Sequence, residues 1–468
     1  MVGAGPNGLA AAITLARAGR SVLVLEARPT VGGGTRSAAL TLPGFVHDVC
    51  SAVHPLGRAS RVFAEWPLAE HGLEWIDPPV AIGHPLDDGS AALVRRDIDE
   101  TAASLGEDGE RYARLLRPLV DDWELIDREL IGPLRIAAAL RHPFALGRFG
   151  INAVQPVTWL ARRFHGPQAR ALLGGVAAHS FVQLDRPITG AFALIFLASA
   201  HAVGWPIPRG GSQHIADALA SYLRSLGGEI RTDVPVASLD GLPPHRALLL
   251  DLTPRQVLRL AGDRLGGLYR RQLRGYRYGP GVFKIDLALD GPIPWANPEL
   301  AQAGTVHLGG TLPELVAAER AVAHQRPAGR PFVLVAQPSQ FDPSRAPDGK
   351  HVVWAYCHVP NGSRADMTDA ILAQLERFAP GIGSRIIGRS TMGPAALETY
   401  NANYIGGDIN GGLQDLWQLW TRPAIRLDPY STPDPRIFIC SSSTPPGGGV
   451  HGLCGYFAAQ SALRGILH

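Results

Sequence analysis

The chain has 468 residues, of which 46% are hydrophobic, and carries a formal net charge of +3. This length is about three times that of a typical domain, which predicts two domains or one large composite fold. The arginines are spread along the chain, which argues against a nucleic-acid partner. The four cysteines include no Cys-x-x-Cys pair, which argues against a disulfide framework and against a zinc site.

Membrane-spanning and secretory segments are also not predicted. The sequence contains no uncharged apolar run of the roughly 18 residues that a spanning helix requires, and no signal peptide precedes the first motif. We therefore expect a cytoplasmic protein.

The first motif is a dinucleotide-binding turn. Gly3 permits a tight strand-to-helix turn, Gly5 lets the backbone approach a pyrophosphate ahead of Pro6, and Gly8 lets the helix pack on the strand. An Ala- and Leu-rich helix follows, and the next strand ends in Glu26, whose carboxylate is placed to bind ribose hydroxyls. This helix–strand–acid order favours dinucleotide binding over a bare glycine turn.

The strand before this turn is nearly absent. Only two residues precede Gly3, whereas such a strand needs about five. Either the native start lies upstream or the strand is unusually short.

A second glycine turn follows the first strand–acid unit. It contains Gly33 and Gly34 and leads to Arg36, as expected of a loop that passes beneath the same cofactor. Helical patterns then dominate residues 100–225. The predicted helices there span residues 108–130, 133–140, 168–178 and 191–201.

Later segments return to the character of a nucleotide-binding domain. A helix at 215–226 stops at a glycine pair and precedes strands at 229–236 and 247–252. Further predicted elements are strands 282–289, 332–335, 351–357 and 436–440 and helices 367–378 and 450–467. A nicotinamide dehydrogenase would keep its nucleotide domain contiguous within about 150 residues, so the discontinuity argues against that class.

With these motifs the chain resembles the flavin-dependent phytoene desaturase and amine oxidase superfamily, above all the phytoene dehydrogenase-like proteins. The resemblance covers nearly the whole chain. It rests on residues 2–26, 32–54, 204–206, 209–211, 278–284, 406–408 and 446–459. It implies an α/β fold with a discontinuous Rossmann-type FAD domain at 1–75, 205–265 and 425–468. A mixed-sheet and helical substrate domain would occupy 76–204 and 266–424.

The resemblance also implies FAD and a set of FAD-binding residues. Gly3, Gly5 and Gly8 would hold the pyrophosphate, Glu26 the ribose, and Arg36 would lie near the pyrophosphate or ribityl. Val236 matches a valine whose backbone meets the adenine, and Gly452, Leu453 and Cys454 match a helix start that faces the flavin pyrimidine. Relatives carry Gly-Asp where this chain has Ser441-Ser442, so hydroxyls replace an acid there.

Two residues are candidates for catalysis, and no metal ligands stand out. Strand alternation puts Lys284 and Asp286 on one face. One interpretation is a solvated strand face on which the two residues form a weak ion pair. The other follows from the resemblance, in which Lys284 matches the lysine that holds a water against flavin N5 in amine oxidases. His54 is either a structural residue or a proton donor or acceptor beside the flavin.

The predicted function is an FAD-dependent desaturase or dehydrogenase that moves hydride between an apolar or unsaturated carbon substrate and flavin N5. Oxygen or a quinone would reoxidise the flavin. The alternatives are a flavin amine oxidase, a non-redox flavin isomerase and a low-turnover FAD-binding interaction protein. A redox cysteine pair and a second nucleotide turn are both missing from the sequence, which argues against a disulfide reductase that uses NADPH.

Partners are predicted from the substrate class. We expect a small apolar or lipid-like substrate and no nucleic acid, and a homodimer is one option that the sequence leaves open. The mixture of arginines and apolar residues at 135–149 suits peripheral membrane contact, and a plain surface helix is the alternative. A long apolar tunnel opening near 135–165 would favour a lipid or polyene, whereas a short aromatic cage would favour an amine.

Overall fold

The computed structural model describes residues 1–133 and 141–468. Its strands are β1 (Leu23–Leu25), β2 (Ser37–Ala38), β3 (His47–Asp48), β4 (Trp75–Ile76), β5 (Val80–Pro85), β6 (Ala91–Arg95), β7 (Ile207–Pro208), β8 (Glu229–Arg231), β9 (Leu248–Leu250), β10 (Gly281–Leu289), β11 (Ala303–Leu308), β12 (Val333–Ala336), β13 (His351–Val359), β14 (Ile386–Met392) and β15 (Ile437–Ile439). Its α-helices are Pro6–Arg17, Pro55–Ala59, Arg61–Glu65, Ile98–Ser104, Gly109–Asp121, Trp123–Leu130, Pro143–Ala153, Val157–Leu160, Pro167–Ala177, Thr189–Ala202, Gln213–Ser225, Pro254–Ala261, Gly267–Arg274, Leu312–Ala323, Thr368–Phe378, Pro394–Tyr400, Leu416–Thr421 and Leu453–Arg464.

A parallel sheet with helices on both faces forms one half of the fold. Its spatial order is β8, β1, Val2, β9 and β15, because Val2 bridges in parallel to both Leu25 and Leu250. This is the 3-2-1-4-5 order of a Rossmann-type nucleotide-binding unit. Met1 and Val2 occupy this central position: the Met1 carbonyl accepts the Leu25 N–H at 3.0 Å, and the Val2 N–H donates to the Leu249 carbonyl at 3.0 Å.

A seven-stranded mixed sheet forms the other half, in the order β14, β10, β13, β12, β11, β5 and β6. Only the β11–β5 pair is parallel. The helices Pro167–Ala177 and Thr189–Ala202 pack on the β5–β6 edge. The predicted α/β fold class is thus confirmed.

Some predicted elements have different limits in the structure. The helix predicted at 108–130 breaks at Asp122 into two helices. The strand predicted at 229–236 ends at Arg231, because Asp233 takes a left-handed φ of 56°, which an extended strand cannot contain. The helix predicted at 133–140 falls on residues that, apart from Pro133, lie outside the described ranges. The proposed domain limits stay a prediction, although every strand of the parallel sheet falls inside the predicted FAD segments.

No helix within residues 1–133 and 141–468 is long and apolar enough to cross a bilayer.

The two ends of the chain meet where the last helix crosses the first. A Cβ at Gly455 of the last helix would overlap the Asn7 carbonyl and lie 2.9 Å from the Ala11 backbone nitrogen. These are backbone atoms, so they cannot move aside as a flexible side chain can. The absence of a side chain at Gly455 therefore sets the distance between the two helices.

We predict that Gly455→Ala destabilises the protein. The added methyl group forces the helices apart, and overpacking of this kind costs about 1–3 kcal/mol in free energy of unfolding. Gly147→Ala is the matched control, because Gly147 also lies in a helix and a Cβ there meets nothing within 4 Å. Urea denaturation measures both, and equal midpoints for the two variants would contradict the assigned role of Gly455.

Candidate functional site

A cavity of about 1260 Å³ begins at the carboxyl ends of the parallel strands. Glu26, Asp251 and Ser441, which follow β1, β9 and β15, all line it. This end of a doubly wound sheet is where such folds bind ligands. The volume exceeds the roughly 300–1000 Å³ of an ordinary small-molecule pocket, so the cavity has room for two ligands in succession.

The two glycine turns form the floor of this end of the cavity. Gly3, Gly5, Pro6, Gly33 and Gly34 line the cavity, and a Cβ at Gly33 would lie 3.1 Å from the Gly5 Cα atom. The second turn therefore lies directly on the first.

Gly8, by contrast, does not line the cavity. A Cβ at this position would overlap the Gly3 carbonyl. Its small size thus serves the packing of the helix against the turn, whereas the sequence predicted packing against the strand.

Glu26 and Arg36 are held together beside the turns. Glu26 accepts the Ala4 N–H at 2.8 Å and the Arg28 N–H at 3.0 Å, and its Oε1 lies 3.0 Å from an Arg36 nitrogen. Arg36 also donates to the Thr30 carbonyl at 2.7 Å. The structure thus places Arg36 against the acid that ends β1, and Val236 lines the same cavity.

Asp251 is a site residue that the sequence reasoning missed. Its Oδ2 accepts the Gly8 N–H at 3.0 Å, at the start of the first helix. Burial raises the pKa of Asp251 to about 7, and the neighbouring Glu26 carboxylate adds to the rise. A titratable carboxyl group therefore borders the turn that was predicted to hold a pyrophosphate.

The wall contributed by the C-terminal loop contains one predicted residue, Ser441, and one that was not predicted, His451. Ser441 lines the cavity and its hydroxyl donates to the Leu252 carbonyl at 2.8 Å. Gly452, Leu453 and Cys454 lie behind the wall. His451 lines it instead, and its Nδ1 accepts the Leu453 N–H at 3.0 Å. The contact of Gly452, Leu453 and Cys454 with a flavin stays a prediction, and His451 is a further cavity-lining residue at this helix start.

The buried thiol of Cys454 faces protein carbonyls. Its Sγ lies 3.4 Å from the Thr444 oxygen and 3.5 Å from the Gly447 oxygen. Cys454 is therefore a packing residue in this structure.

Six buried side-chain polar atoms belong to residues that line this cavity and have no hydrogen-bond partner within the described ranges. They are Asn7 Oδ1, His54 Nδ1, Glu129 Oε2, Trp354 Nε1, Asn410 Nδ2 and His451 Nε2. Buried polar groups are rarely left unpaired. Together they offer both donors and acceptors, which fits a ligand with a polar, ring-like head such as the predicted flavin.

His54 is held in one protonation state. Its Nε2 lies 2.8 Å from the Ser212 hydroxyl, which donates to the Ser51 carbonyl at 2.7 Å. The hydroxyl therefore accepts from His54, and the proton is assigned to Nε2. Burial lowers the pKa of His54 to about 4, so the ring is neutral at pH 7 and Nδ1 carries a free lone pair.

Lys284 lies one layer behind the cavity. It forms a buried ion pair with Asp286, and its Nζ lies 6.0 Å from the ring centre of Trp354, which does line the cavity. The side chains of Lys284 and Asp286 are 2% and 0% exposed, so the alternative of a solvated strand face was wrong. His47 Nδ1 lies 3.6 Å from Asp286 Oδ1, which makes the pair part of a larger buried cluster.

Burial raises the pKa of Asp286 to about 6, and the neighbouring Lys284 opposes the rise. The assignment of Lys284 to catalysis stays a prediction, because Lys284 itself is not among the residues that line the cavity.

Beyond these residues the cavity becomes an apolar chamber. Its walls are mainly aromatic and aliphatic side chains, among them Phe149, Phe181, Ile188, Phe192, Ile195, Phe196, Trp205, Leu334, Trp354 and Tyr356. His179 is a polar exception, and its Nε2 lies 3.0 Å from the Nε2 of His307. No sequence motif indicated this pair, since the two residues are far apart in the chain.

A domain family described as an NAD(P)-binding Rossmann-like domain matches residues 1–66. Pyridine nucleotide-disulfide oxidoreductase domain-containing protein 2 of Rattus norvegicus is 26% identical over 100% of this chain and 93% of that protein. Phytoene dehydrogenase of Streptomyces griseus is 28% identical over 82% of this chain and 80% of that protein.

The chain is homologous to these two proteins. The solved structure of putrescine oxidase bound to putrescine has the same fold, with a TM-score of 0.59, 17% identity and coverage of 99% of this chain and 96% of that chain. The resemblance drawn from the sequence, to phytoene dehydrogenase-like proteins and amine oxidases, is therefore confirmed at the level of homology and fold.

We predict that Asp251→Asn stabilises the protein above neutral pH. The carboxyl pKa is 3.8 in the unfolded chain and about 7 in the fold. The contribution of the Asp251 carboxyl group to the free energy of unfolding is therefore fully present below pH 4. It is lost as the pH rises through 7, by an amount on the order of a few kcal/mol. Asparagine keeps the acceptor for Gly8 and does not titrate.

The measurement is the free energy of unfolding of both proteins at pH 5 and pH 8. The variant should exceed the wild type at pH 8 by far more than at pH 5. A difference that does not change with pH would contradict the assigned protonation of Asp251.

Proposed function

We propose that this protein is an FAD-dependent oxidoreductase that moves hydride between an apolar, unsaturated carbon substrate and the flavin. The observation that carries the proposal is the continuity of the cavity, in which the glycine turns and the apolar chamber belong to one space. Homology to phytoene dehydrogenase supports the same class of reaction. Bound FAD would supply the hydride acceptor, which no amino-acid side chain provides.

The polar part of the cavity would hold the cofactor. The two glycine turns would face its diphosphate, and the unpaired atoms of Asn7, Asn410 and His451 would bond its polar ring. An anionic diphosphate beside Asp251 favours the protonated form of that carboxyl group. FAD should therefore bind more tightly at pH 6 than at pH 8.

The apolar part would hold the substrate and exclude water. Removal of two hydrogens from neighbouring carbons releases one as hydride and the other as a proton. Neutral His54 presents a free lone pair at Nδ1 and lines the cavity, so it is our candidate for the proton acceptor. Although its low pKa makes His54 a weak base, it can accept this proton, because a C–H bond next to a carbon that has lost hydride is strongly acidic.

Anaerobic flavin reduction tests the function. The protein is loaded with FAD, and loss of absorbance near 450 nm is followed with a long-chain polyene, an unsaturated fatty acid, a monoterpene and an alkylamine. We expect an unsaturated apolar probe to bleach the flavin. Ala191→Trp, which fills the chamber wall at a residue 7% exposed, should keep FAD and slow bleaching at least tenfold. If the protein binds one FAD per chain and no probe bleaches the flavin, the result would instead favour a low-turnover FAD-binding protein.

An amine substrate is the second candidate, and one residue favours it. Glu129 lines the cavity, and its Oε2 is buried without a hydrogen-bond partner within residues 1–133 and 141–468. A buried carboxylate of this kind could pair with a substrate ammonium group. Putrescine oxidase, whose fold the chain shares, was solved with its diamine.

Glu129→Gln separates the two candidates. If the substrate is a hydrocarbon, the isosteric amide should leave the rate of flavin reduction within about twofold of the wild type. If the substrate is an amine, loss of a buried charge pair should weaken its binding by at least tenfold, on the order of 2 kcal/mol or more. The measurement is the dependence of the bleaching rate on the concentration of each probe.

A further inference from the structure

A pair of histidines interrupts the apolar wall of the chamber. His179 lines the cavity, and its ring centre lies 5.1 Å from that of Phe196 and 6.2 Å from that of Trp205. Its partner His307 lies behind it and is fully buried. In a mainly apolar pocket, a small number of polar groups fix the orientation of the ligand and provide specificity. The chemistry that His179 offers to a ligand therefore bears on what the chamber selects.

The fold places His307 beside a third histidine. Strands β5 and β11 are parallel neighbours, with Gly83 opposite Val306, so the next residues on each strand, His84 and His307, lie side by side. A Cβ at Gly175 would lie 2.7 Å from His84 Nδ1 and 3.0 Å from His307 Nδ1. The two nitrogens therefore face the same small space beside Gly175.

All three imidazole rings are neutral at pH 7. Burial lowers the pKa of His179 to about 3 and that of His84 to about 4, and it holds the pKa of His307 well below its usual value. A neutral imidazole has one nitrogen that donates and one that accepts. The hydrogen bonds of the group therefore assign the position of each proton.

The proton positions follow in order from the buried end of the group. His84 Nε2 lies 2.7 Å from the Gly310 carbonyl oxygen, which can only accept, so His84 carries a lone pair on Nδ1. A second lone pair on His307 Nδ1 would face the first across the space beside Gly175. The attractive arrangement puts the proton on His307 Nδ1 and leaves His307 Nε2 as an acceptor. His179 Nε2, 3.0 Å away, then donates to it.

The remaining nitrogen of His179 is consequently an acceptor. With its proton on Nε2, His179 has a lone pair on Nδ1. This nitrogen forms no hydrogen bond with any residue in the described ranges and, unlike His307 Nδ1, it is not sealed from the cavity. The apolar chamber thus contains a neutral acceptor that is held in place from behind.

We propose that His179 accepts a hydrogen bond from a hydroxyl group of an otherwise apolar substrate, with His307 as a positioning residue. A hydroxyl group is a neutral donor, so it meets this acceptor without leaving a buried charge uncompensated. A substrate ammonium group would need a carboxylate, which Glu129 rather than His179 offers. A carbonyl or ether oxygen has no proton to donate. The inference rests on the proposed function, because it names a feature of the substrate for that same chamber.

Competition for the chamber tests this recognition without hydride transfer. The full chain is mixed with excess FAD and the neutral apolar dye Nile red, and each probe is measured by its displacement of the dye. The probes are straight-chain alkenes of 10, 14 and 18 carbons, the corresponding alkenols with a terminal hydroxyl group, and the methyl ethers of these alkenols. We expect at least one alkenol to bind about tenfold more tightly than its methyl ether, as one buried hydrogen bond allows. Ala191→Trp, which fills the chamber, should abolish the displacement.

Three variants identify the residues. His179→Phe keeps an aromatic ring and removes the acceptor, so the alkenol should bind no better than its ether or the alkene. His307→Leu frees His179 to take either tautomer, so the preference for alkenol over ether should fall at least threefold. His307→Gln should restore most of this preference, because its amide oxygen can accept the His179 Nε2 proton. His201→Phe is the matched control, because His201 is a buried histidine bonded to Tyr112 at 2.7 Å outside the cavity lining.

Thermal melting shows whether each variant is folded, and if His179→Phe does not fold, the two His307 variants decide the matter. The proposal is overturned if no alkenol is preferred over its methyl ether in the wild type, or if His179→Phe keeps the full preference. Equal weakening of all three classes of probe by His307→Leu would show a merely structural role for His307. None of these measurements requires flavin reduction, so failure of hydroxyl recognition is distinguishable from failure of the proposed redox function.

Discussion

The close crossing of the first and last helices is the contact on which the rest of the structure depends. Backbone meets backbone at Gly455 and Asn7, so the two ends of the chain are fixed to each other. As a result, the glycine turns near the start and the loop before the last helix face each other across one cavity. The same crossing lies beside the centre of the parallel sheet, where Val2 bridges to β1 on one side and to β9 on the other.

Buried charge surrounds the boundary between the polar and apolar parts of the cavity. Lys284 pairs with Asp286, and Arg345 pairs with Asp48 at 2.7 Å, with all four side chains buried. Such pairs gain little net stability, because desolvation offsets their attraction. Their contacts are informative in another way: Asp48 accepts the Ser212 N–H at 2.7 Å, and Ser212 in turn fixes His54. The cluster thus fixes the orientation of a cavity-lining imidazole from behind.

Local patterns in the sequence were enough to predict the fold class and to single out several residues that line the polar end of the cavity. The glycine turn, the acid at the end of β1 and the alternation along β10 each depend on residues a few positions apart, and the structure contains them. Contacts between distant segments were not predictable in this way. Asp251 meets Gly8 across 243 positions and His179 meets His307 across 128, and no local pattern marks either pair. The pairing of Lys284 with Asp286 was foreseen, but its burial depends on strands β13 and β14 on either side.

The helix Pro143–Ala153 lies between the apolar chamber and solvent. A helix at the surface normally has a polar face that fixes its rotation relative to solvent. The outward side of this helix carries the exposed apolar residues Phe144 and Ile151 beside Arg148, so solvent fixes its rotation only weakly, and the buried contacts of Phe149 and Ala153 set it. Those contacts are with the chamber wall, including the helix Thr189–Ala202. What occupies the chamber therefore acts on this short helix, and a ligand that displaces Phe149 would also move Phe144 and Ile151.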